Sequence, residues 1–420
     1  MLPELVTEIP GPRSRELAKR LRGAESRNVT YCDAGWPVFW KRAKGVNVWD
    51  EDGNRFLDFT SAFGVTGLGH GRKELLEAMA SQAEDLLHGM GDVHPTARKV
   101  ELCERLAELT FGRWTGTPGR VLLVNSGFEA VEAAMKTARL ATGRRGIAAF
   151  EYGYHGLGYG ALTATAYDKF RAPFSDQLAD LLEPLPYPGE DDSLDALRKK
   201  LSDLEPKKIG AILVEPIQGR GGKIVPPLGF LSLLREWCDQ HGALLIFDEI
   251  YTGFNRTGTL FACEEEGVWP DLICVGKALS GGFPISACVG SEAVMEAWPE
   301  SRGEALHTST FLGHPVGCAM SLAALELHDS DELRERIRDS GAYLAAGLRD
   351  LKLGPVRGRG LMIGLELSEG APLAGLLKKG LLFLADGPDG NVLSFTPPFE
   401  IQHQEIDHAL AMVARCFAEG

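Results

Sequence analysis

One lysine lies inside an almost wholly apolar run near the middle of the sequence. Lys277 follows the letters LICVG and precedes ALSGG. A lysine is rarely buried, because an unpaired ammonium in an apolar interior loses more hydration energy than packing returns. Desolvation lowers the pKa of a lysine amine and makes it a better nucleophile, able to form a Schiff base with an aldehyde. Lys277 is therefore the first candidate for covalent chemistry.

Other strand-like runs also end in residues that can bind or react. Asp248 follows LLIF, Glu215 follows AILV, and Ser126 and Gly127 follow RVLLVN. A buried carboxylate needs a partner, and a Ser-Gly pair at the start of a helix offers free N–H groups to an anion such as a phosphate. A phosphate site, a buried carboxylate and a buried lysine together fit pyridoxal 5'-phosphate, whose electron-sink chemistry uses all three.

These residues belong to a region in which strands and helices alternate. The runs RVLLV, GAILV, ALLIF and DLICV have strand length, and helical spacing follows in 128–143 and 229–242. Runs that are apolar on both faces are typical of a parallel sheet covered by helices, and ligands of such sheets bind at the carboxyl ends of the strands. Taken singly, the same residues could be a helix cap, a loop cap and a surface-reaching lysine. Their common position at strand ends favours one site on an α/β, doubly wound, mostly parallel sheet.

Composition restricts the remaining possibilities. The 420 residues carry a net charge of −14, which argues against a nucleic-acid partner. No apolar run approaches the roughly eighteen residues that span a bilayer, and the first twenty residues lack the pattern of a secretion signal. The eight cysteines contain no C-x-x-C pair and the ten histidines show no metal-binding spacing. We expect a cytoplasmic protein without a metal site or a membrane segment.

The stretch LLIFDEIYTGFNRTGTLFACEEEGVWPDLICVGKALSGGFPISA is similar to the signature of the class III aminotransferases, which are fold type I pyridoxal-phosphate enzymes. In that signature D-E-x-x-T-G-x-x-R-T-G precedes P-D and K-A-L-x-G-G-x-P. The resemblance runs from about GPRSRELAKR to SFTPPFEI. It implies a large cofactor domain, here 58–319, and a smaller α+β domain built from 1–57 and 320–420. It also implies a homodimer with active sites at the interface.

The resemblance implies roles for individual residues. Lys277 would be the Schiff-base lysine and proton carrier, and Asp248 would pair with the pyridine nitrogen. Ile250 and Tyr154 would contact opposite faces of the cofactor ring. Thr310, in HTSTFLGHP, would reach the phosphate of the neighbouring subunit. The remaining cofactor-binding residues that it implies are Ser126, Gly127, Phe128, His155, Glu215 and Tyr251.

The sequence departs from the family pattern where substrate specificity is set. Relatives that use 2-oxoglutarate usually carry an arginine two residues before the x-P-P run and a glutamate just after EPIQG; here these positions are Ser394 and Arg220. We expect Arg220, Trp40 and Ser394 in the substrate site, with Arg220 binding the carboxylate of the keto acid. The alternative places Arg220 on the surface of a glycine-rich loop. Three further departures from the pattern are Phe128, Tyr251 and Asn255.

The predicted function is transfer of an amino group from an amine or ω-amino acid to a keto acid, with pyruvate as the expected acceptor. Pyridoxamine phosphate would hold the amino group between the two half-reactions, and Lys277 would move the proton. Three kinds of alternative remain open. One is a 4-aminobutyrate-type enzyme that uses 2-oxoglutarate, and another is a racemase, epimerase, aminomutase or dialkylglycine decarboxylase on the same fold. The third is a non-enzymatic binding module. The letters GLGYGA (156–161) fit a dinucleotide-binding pattern, but they precede a β-rich LTATAY run and are interpreted as a chance match.

Overall fold

The structure, a computed structural model, describes residues 1–33 and 35–418. The chain divides into two compact units: a first unit made of Met1–Arg72 and Arg336–Gly420, and a second unit made of Lys73–Glu335. These bounds lie later in the chain than the expected boundaries at 57/58 and 319/320, and the assignment of a cofactor domain to 58–319 stays a prediction. Within the described residues, no helix is both long enough and apolar enough to cross a membrane.

The secondary structure of the described residues alternates between strands and helices through the second unit. In chain order, the strands are β1 Trp40–Lys44, β2 Asn47–Asp50, β3 Arg55–Asp58, β4 Gly119–Val124, β5 Gly146–Phe150, β6 Leu182–Leu185, β7 Ile209–Val214, β8 Leu244–Asp248, β9 Leu272–Val275, β10 Ser286–Ser291, β11 Val356–Arg359, β12 Met362–Glu366, β13 Leu381–Leu382, β14 Leu384–Asp386 and β15 Val392–Phe395. The helices are α1 Pro12–Ala24, α2 Ser61–Gly64, α3 Lys73–Asp85, α4 Ala97–Ala107, α5 Arg113–Thr115, α6 Gly127–Thr142, α7 Tyr159–Ala164, α8 Asp168–Arg171, α9 Asp195–Asp203, α10 Phe230–His241, α11 Glu292–Met295, α12 Pro315–His328, α13 Asp331–Asp350, α14 Leu373–Leu377 and α15 His403–Ala418.

The second unit contains a seven-stranded sheet in the order β4-β10-β9-β8-β7-β5-β6. The strands β9, β8, β7, β5 and β6 pair in parallel, whereas β10 runs antiparallel to both of its neighbours, β4 and β9. Because β10 is antiparallel to both β4 and β9, those two strands run in the same direction. The carboxyl ends of β4, β7, β8 and β9 therefore lie at one edge of the sheet, which confirms the predicted α/β architecture.

Alternate residues of the central strands face two separate apolar clusters. In β8, Leu245 and Phe247 belong to one cluster and Ile246 belongs to the other, and all three are fully buried. Full burial of such side chains stabilises the fold by about 1.5–3 kcal/mol each. Both faces of the sheet are therefore covered, as the uninterrupted apolar runs predict. The helices α6 and α10 end at glycines in the left-handed conformation, Gly143 and Gly242, which terminate helices readily.

The helix α7 corrects one expectation. It runs from Tyr159 to Ala164 and so includes residues 162–164, which were expected to begin a β-rich run. Gly158 and Gly160 leave space for neighbouring side chains, because a Cβ on either would lie 2.5 Å from the Phe128 ring or 2.7 Å from the Glu132 carboxyl carbon. In the first turn of this short helix, the N–H groups of Gly160 and Ala161 donate to Glu132 Oε1 at 3.0 and 3.2 Å. Glu132 thus caps the start of this helix, and the interpretation of GLGYGA as a chance match stays a prediction.

The first unit contains two four-stranded sheets, in the orders β1-β2-β3-β13 and β11-β12-β15-β14. The strands β2 and β3 form an antiparallel hairpin, with Val48 of β2 opposite Phe56 of β3. The strand β13 pairs in parallel with β3 and so joins the C-terminal segment of this unit to its N-terminal segment. The first unit is therefore the smaller α+β part that the fold class predicted.

Candidate active site

Lys277 follows β9 after a single glycine. Its φ is +45°, a left-handed conformation that costs a non-glycine residue on the order of 1–3 kcal/mol. Gly276 has no room for a side chain, since a Cβ would lie 2.5 Å from Ser286 Oγ. The Lys277 Nζ lies 4.7 Å from the centroid of the Tyr251 ring, and no described residue forms a hydrogen bond or ion pair with it. Burial lowers the pKa of Lys277. The side chain is thus an amine available for reaction.

Asp248 ends β8 and is 4 % exposed. His155 Nδ1 donates to its Oδ2 at 2.8 Å, and the Ile250 N–H donates to its Oδ1 at 3.1 Å. The His155 backbone N–H donates in turn to Thr165 Oγ1 at 3.0 Å. These contacts fix the orientation of a buried carboxylate while leaving it lone pairs for a further partner.

Glu215 follows β7 and is also buried. Its two carboxylate oxygens accept from the backbone N–H groups of Tyr154 at 3.0 Å and Gly219 at 2.9 Å. Burial raises the pKa of Glu215, an effect that the nearby His155 opposes. Glu215 therefore connects two loops of the site, the one that carries Tyr154 and the one that begins at Gly219.

The N-terminus of α6 is built around Glu129. Glu129 Oε2 accepts from the Asn125 and Ser126 N–H groups at 2.8 and 2.9 Å and from Ser126 Oγ at 3.2 Å. The first helical bond runs from Ala130 N to Ser126 O, and no described residue accepts from the N–H groups of Gly127 and Phe128. A helix start with free donors, directed by the helix dipole, is a binding place for an anion.

Ile250 lies between two glycines of the site. A Cβ on Gly127 would lie 2.9 Å from Ile250 Cδ1, and a Cβ on Gly276 would lie 3.5 Å from Ile250 Cγ2. The turn before α6 and the turn that carries Lys277 therefore both approach the same isoleucine side chain. Asp248, two residues before Ile250, belongs to the same cluster.

Arg220 lies against two aromatic rings and is half-buried. Its guanidinium carbon is 5.0 Å from the Tyr154 ring centroid and 5.5 Å from the Phe170 ring centroid. Burial raises the pKa of Tyr154, and the charge of Arg220 opposes that effect. No carboxylate of residues 1–33 and 35–418 forms an ion pair with Arg220. The arginine is thus held beside Tyr154, and whether it binds a substrate or only forms part of the loop surface stays a prediction.

The departures from the family pattern have local explanations. Phe128 is 38 % exposed and packs on Gly156, where a Cβ would lie 2.3 Å from the Phe128 Cβ. Asn255 has a φ of +69°, and its Nδ2 donates to the His328 carbonyl at 2.8 Å. Thr310 is exposed, next to Ser309, whose hydroxyl accepts from the Asn125 side chain at 2.8 Å.

Two predicted substrate residues belong to the first unit. Trp40, at the start of β1, is 43 % exposed and lies edge-on to His70, with ring centroids 5.9 Å apart. Ser394 is fully buried in β15 between Gly364 and Leu384 on the adjacent strands, and its hydroxyl has no partner among the described residues. The role of both residues in a substrate site stays a prediction.

Lys223 also contacts the residues of this site, and the sequence patterns did not predict it. Its side chain is fully buried, and its Nζ donates to Tyr251 Oη at 3.2 Å. The signal that could have revealed it is the one used for Lys277, a lysine between glycines and an apolar run, here in GRGGKIVPP.

The assembled residues fit pyridoxal 5'-phosphate. The start of α6 offers free N–H donors, Asp248 offers an oriented carboxylate, and Lys277 offers an amine. Because Gly127 and Gly276 carry no side chain, their backbone lies close to the neighbouring side chains of Ile250 and Ser286. Within the described residues, no group of three or more His, Cys, Asp or Glu side chains could hold a metal ion.

The chain belongs to the class III aminotransferase family, whose model matches residues 31–417. It is 37 % identical to the 5-aminovalerate aminotransferase of Pseudomonas aeruginosa over 97 % of this chain and 99 % of that protein. It is 36 % identical to the 4-aminobutyrate aminotransferase of Mycobacterium leprae, over 99 % and 98 % of the two chains.

Solved structures resemble this fold closely. An aminotransferase from Bacillus anthracis has a TM-score of 0.88 and 27 % identity over 97 % of this chain and 99 % of that one. An amine transaminase from an uncultivated Pseudomonas species, solved in its pyridoxal-phosphate-bound form, has a TM-score of 0.85 and 28 % identity over 94 % and 98 % of the two chains. The protein is an aminotransferase of fold type I, which confirms the predicted family, fold class and activity.

Proposed function

We propose that this aminotransferase binds pyridoxal 5'-phosphate through Lys277 and moves an amino group from an amine or ω-amino acid to a keto acid. Ser126, Gly127 and Phe128 would bind the phosphate, and Asp248 would pair with the pyridine nitrogen. Ile250 and Tyr154 would contact the two faces of the ring. The cofactor, when bound, supplies an electron sink for the substrate carbon. The observation that carries the proposal is the Lys277 amine, without a hydrogen-bonding partner in the described residues, at the same sheet edge as Asp248 and the start of α6.

Lys277 is suited to carry the proton. Because burial lowers the pKa of its amine, a larger fraction is neutral near neutral pH and can accept a proton from the substrate carbon at Nζ. Asp248 is suited to hold a fixed negative charge, since His155 and the Ile250 N–H orient both of its oxygens. The two groups thus have the complementary tasks of proton transfer and charge stabilisation.

The direct test is chemical. Purified protein supplied with pyridoxal phosphate should absorb in the visible range, and borohydride should fix the cofactor on Lys277, detectable by peptide mass spectrometry. Lys277→Ala should lose both the adduct and amino-group transfer. A wild-type protein that stays colourless and gains no adduct on Lys277 would refute the proposal.

The donor is proposed to carry its amine at the end of a chain. The relatives are named for 5-aminovalerate and 4-aminobutyrate, which are ω-amino acids. A panel of these two donors and a primary amine without a carboxylate, each tested with pyruvate and with 2-oxoglutarate, separates the expected pyruvate-dependent enzyme from a 4-aminobutyrate-type enzyme that uses 2-oxoglutarate. Racemisation of an amino acid without any keto acid would instead favour the racemase alternative.

Arg220 is proposed to bind the carboxylate of the keto acid. It is a cation without a carboxylate partner in the described residues, and it lies beside Tyr154. A charge-assisted hydrogen bond contributes about 1.5–3 kcal/mol, so Arg220→Ala should raise the KM for pyruvate roughly 10- to 100-fold. Arg220→Lys should give a smaller increase, because a lysine keeps the charge without the bidentate geometry. The rate of the half-reaction with the carboxylate-free amine is the control and should change little; an unchanged KM for pyruvate in Arg220→Ala would contradict this role.

We also propose a cytoplasmic homodimer. The free cysteines of the described residues suit a reducing compartment. Leu306 and Phe311, on either side of Thr310, are 68 % and 57 % exposed, and large exposed apolar side chains are typical of an interface. If Thr310 acts on the neighbouring subunit, mixing Lys277→Ala subunits with Thr310→Val subunits should restore one intact site per mixed dimer. Sedimentation of a monomer at working concentration would contradict the assembly.

A further inference from the structure

Lys223 is a second buried lysine beside Lys277. Its side chain is fully buried, and its φ of +56° lies in the left-handed region. It ends the tight loop 219–223, where its N–H donates to the Gly219 carbonyl at 3.1 Å. A strained backbone and a buried ammonium both oppose folding, so packing alone does not explain a lysine at this position.

Tyr251 connects the two lysines. Lys223 Nζ donates to Tyr251 Oη at 3.2 Å and lies 4.3 Å from the ring centroid. Lys277 Nζ lies 4.7 Å from the same centroid. The loop packs directly on this ring, because a Cβ on Gly219 would lie 2.6 Å from Tyr251 Cδ1. Two amine groups therefore contact one aromatic side chain.

We propose that Lys223 is a positioning residue for Lys277: its positive charge, fixed through Tyr251, disfavours a proton on the Lys277 amine and keeps that amine nucleophilic at neutral pH. The inference rests on the proposed function, in which the Lys277 amine holds the cofactor and carries the proton. A cation beside a desolvated lysine is a known way of activating it as a nucleophile.

The other groups that face Lys277 show why such a charge is useful. Burial is the main cause that lowers the pKa of Lys277, and the charge of Lys223 acts in the same direction. Asp248, Tyr251 and Glu215 act in the opposite direction and favour the protonated amine. The charge of Lys223 has a smaller effect than each of these three groups, and it thus opposes part of the influence of carboxylates that the site needs for other purposes.

The test measures the Lys277 amine in the apoenzyme, apart from activity. Trinitrobenzenesulfonate reacts with neutral amines, and peptide mass spectrometry quantifies labelling of Lys277 as a function of pH. In Lys223→Met the labelling rate at neutral pH should fall about tenfold, the effect expected of one unit charge at this range at an effective dielectric constant of roughly 20. The rate at high pH, where every amine is neutral, should not change.

Two variants serve as matched controls. Lys223→Arg keeps the charge and should label Lys277 at nearly the wild-type rate. Lys352→Met removes an exposed lysine that also has a left-handed backbone, with φ +55°, and should leave Lys277 unaffected. Equal labelling of Lys277 in wild type and Lys223→Met would overturn the inference, as would an equal loss in Lys223→Met and Lys223→Arg.

A second variant covers the case in which Lys223→Met does not fold, as judged by circular dichroism. Lys223→Gln removes the charge but keeps a polar donor for Tyr251 Oη, so Lys277 labelling at neutral pH should again fall; unchanged labelling would overturn the inference. In the pyridoxal-phosphate-loaded protein, the pH at which the visible absorption changes should be higher for Lys223→Met than for wild type. Absence of a borohydride-fixed adduct on wild-type Lys277 would instead remove the proposed function, so the two failures are distinguishable.

Discussion

At the scale of single residues, the site depends on a glycine whose lack of a side chain leaves space for a neighbour. Gly127 has ordinary helical geometry, so its lack of a side chain is not a matter of backbone conformation. What it provides is space, because a Cβ would lie 2.9 Å from Ile250 Cδ1 and 3.1 Å from Ile250 Cγ2. Ile250 is in turn the residue whose N–H orients Asp248. A single methyl group at 127 would therefore disturb both the turn before α6, which is proposed to bind the phosphate, and the isoleucine beside Asp248.

Gly127→Ala should lower the free energy of unfolding by about 1–2 kcal/mol through overpacking and weaken pyridoxal-phosphate binding roughly tenfold. Urea denaturation and titration of the apoenzyme measure the two effects. The double variant with Ile250→Val, which lacks Cδ1, should recover part of both losses. Gly370→Ala is the control, since a Cβ there meets nothing within 4 Å. If Ile250→Val brings no recovery, steric contact with Ile250 is not the cause.

The predictability of single residues follows their sequence context. Lys277 and Asp248 could be recognised because each ends an apolar run, where an ionisable group is costly without a function. Asn255 could not be explained from sequence, because its partner His328 lies 73 residues away. The sequence context of Lys223 could have marked it as a candidate, but its partner Tyr251 could not be predicted, because only the folded loop brings the two together.

At the scale of an element, the glutamate in the first turn of α6 caps the residues before the helix and not the first N–H groups of the helix itself. Glu129 accepts from the N–H groups of Asn125 and Ser126, and the donors at 127 and 128 are left for a ligand. Glu129→Ala should reduce the free energy of unfolding by about 1–2 kcal/mol, as the loss of a helix cap does, and should weaken binding of inorganic phosphate and of the cofactor. Glu129→Gln, which keeps one acceptor oxygen, should have a smaller effect on both quantities.

The control for this element is Glu77→Ala, which removes only an exposed ion pair with Lys73 on α3 and should change stability by a few tenths of a kcal/mol. Calorimetry of phosphate binding to the apoenzyme completes the measurement. Equal phosphate affinity in wild type and Glu129→Ala would show that the turn does not depend on Glu129. The helix itself was predictable from its apolar spacing, whereas the orientation of Glu129 back onto the turn required the structure.

At the scale of the whole molecule, a buried histidine couples folding to acid. Burial lowers the pKa of His328 to about 4 from its ordinary value of 6.5, and its Nε2 donates to the Ala278 carbonyl at 3.2 Å. Below pH 6.5 His328 binds a proton in the unfolded chain, whereas in the folded chain it stays neutral until the pH approaches 4. The contribution of His328 is thus present in full above pH 6.5 and is lost as the pH falls towards 4, by about 3 kcal/mol in total.

His328→Gln keeps a donor for the Ala278 carbonyl but does not titrate. Its free energy of unfolding should therefore fall less steeply than that of wild type between pH 6.5 and about 4, measured by urea denaturation at several pH values. The comparison of slopes cancels the titration of the carboxylates that both proteins share. Parallel slopes would mean that His328 is protonated in the folded protein as readily as in the unfolded one.

The fold of the whole molecule was predictable because long apolar runs and their order define a doubly wound sheet, and the motif around Lys277 identified the family. The bounds of the two compact units were not, since the break at Arg72 and Arg336 falls within polar sequence that shows no change of composition. The antiparallel strand β10 also went unpredicted, because SACVG is as apolar as its parallel neighbours and carries no sign of direction.

The position of β10 has a consequence for biosynthesis. The edge strand β4 hydrogen-bonds within its sheet to β10 alone, and β10 ends only at Ser291. A nascent chain therefore cannot seat residues 119–124, or the turn that follows them, until well over half of the polypeptide has been translated. Such a distant pairing slows folding and leaves an unpaired edge exposed meanwhile. Lys277 is therefore synthesised before β4 acquires its neighbour, and truncated chains that stop short of β10 would be prone to aggregate.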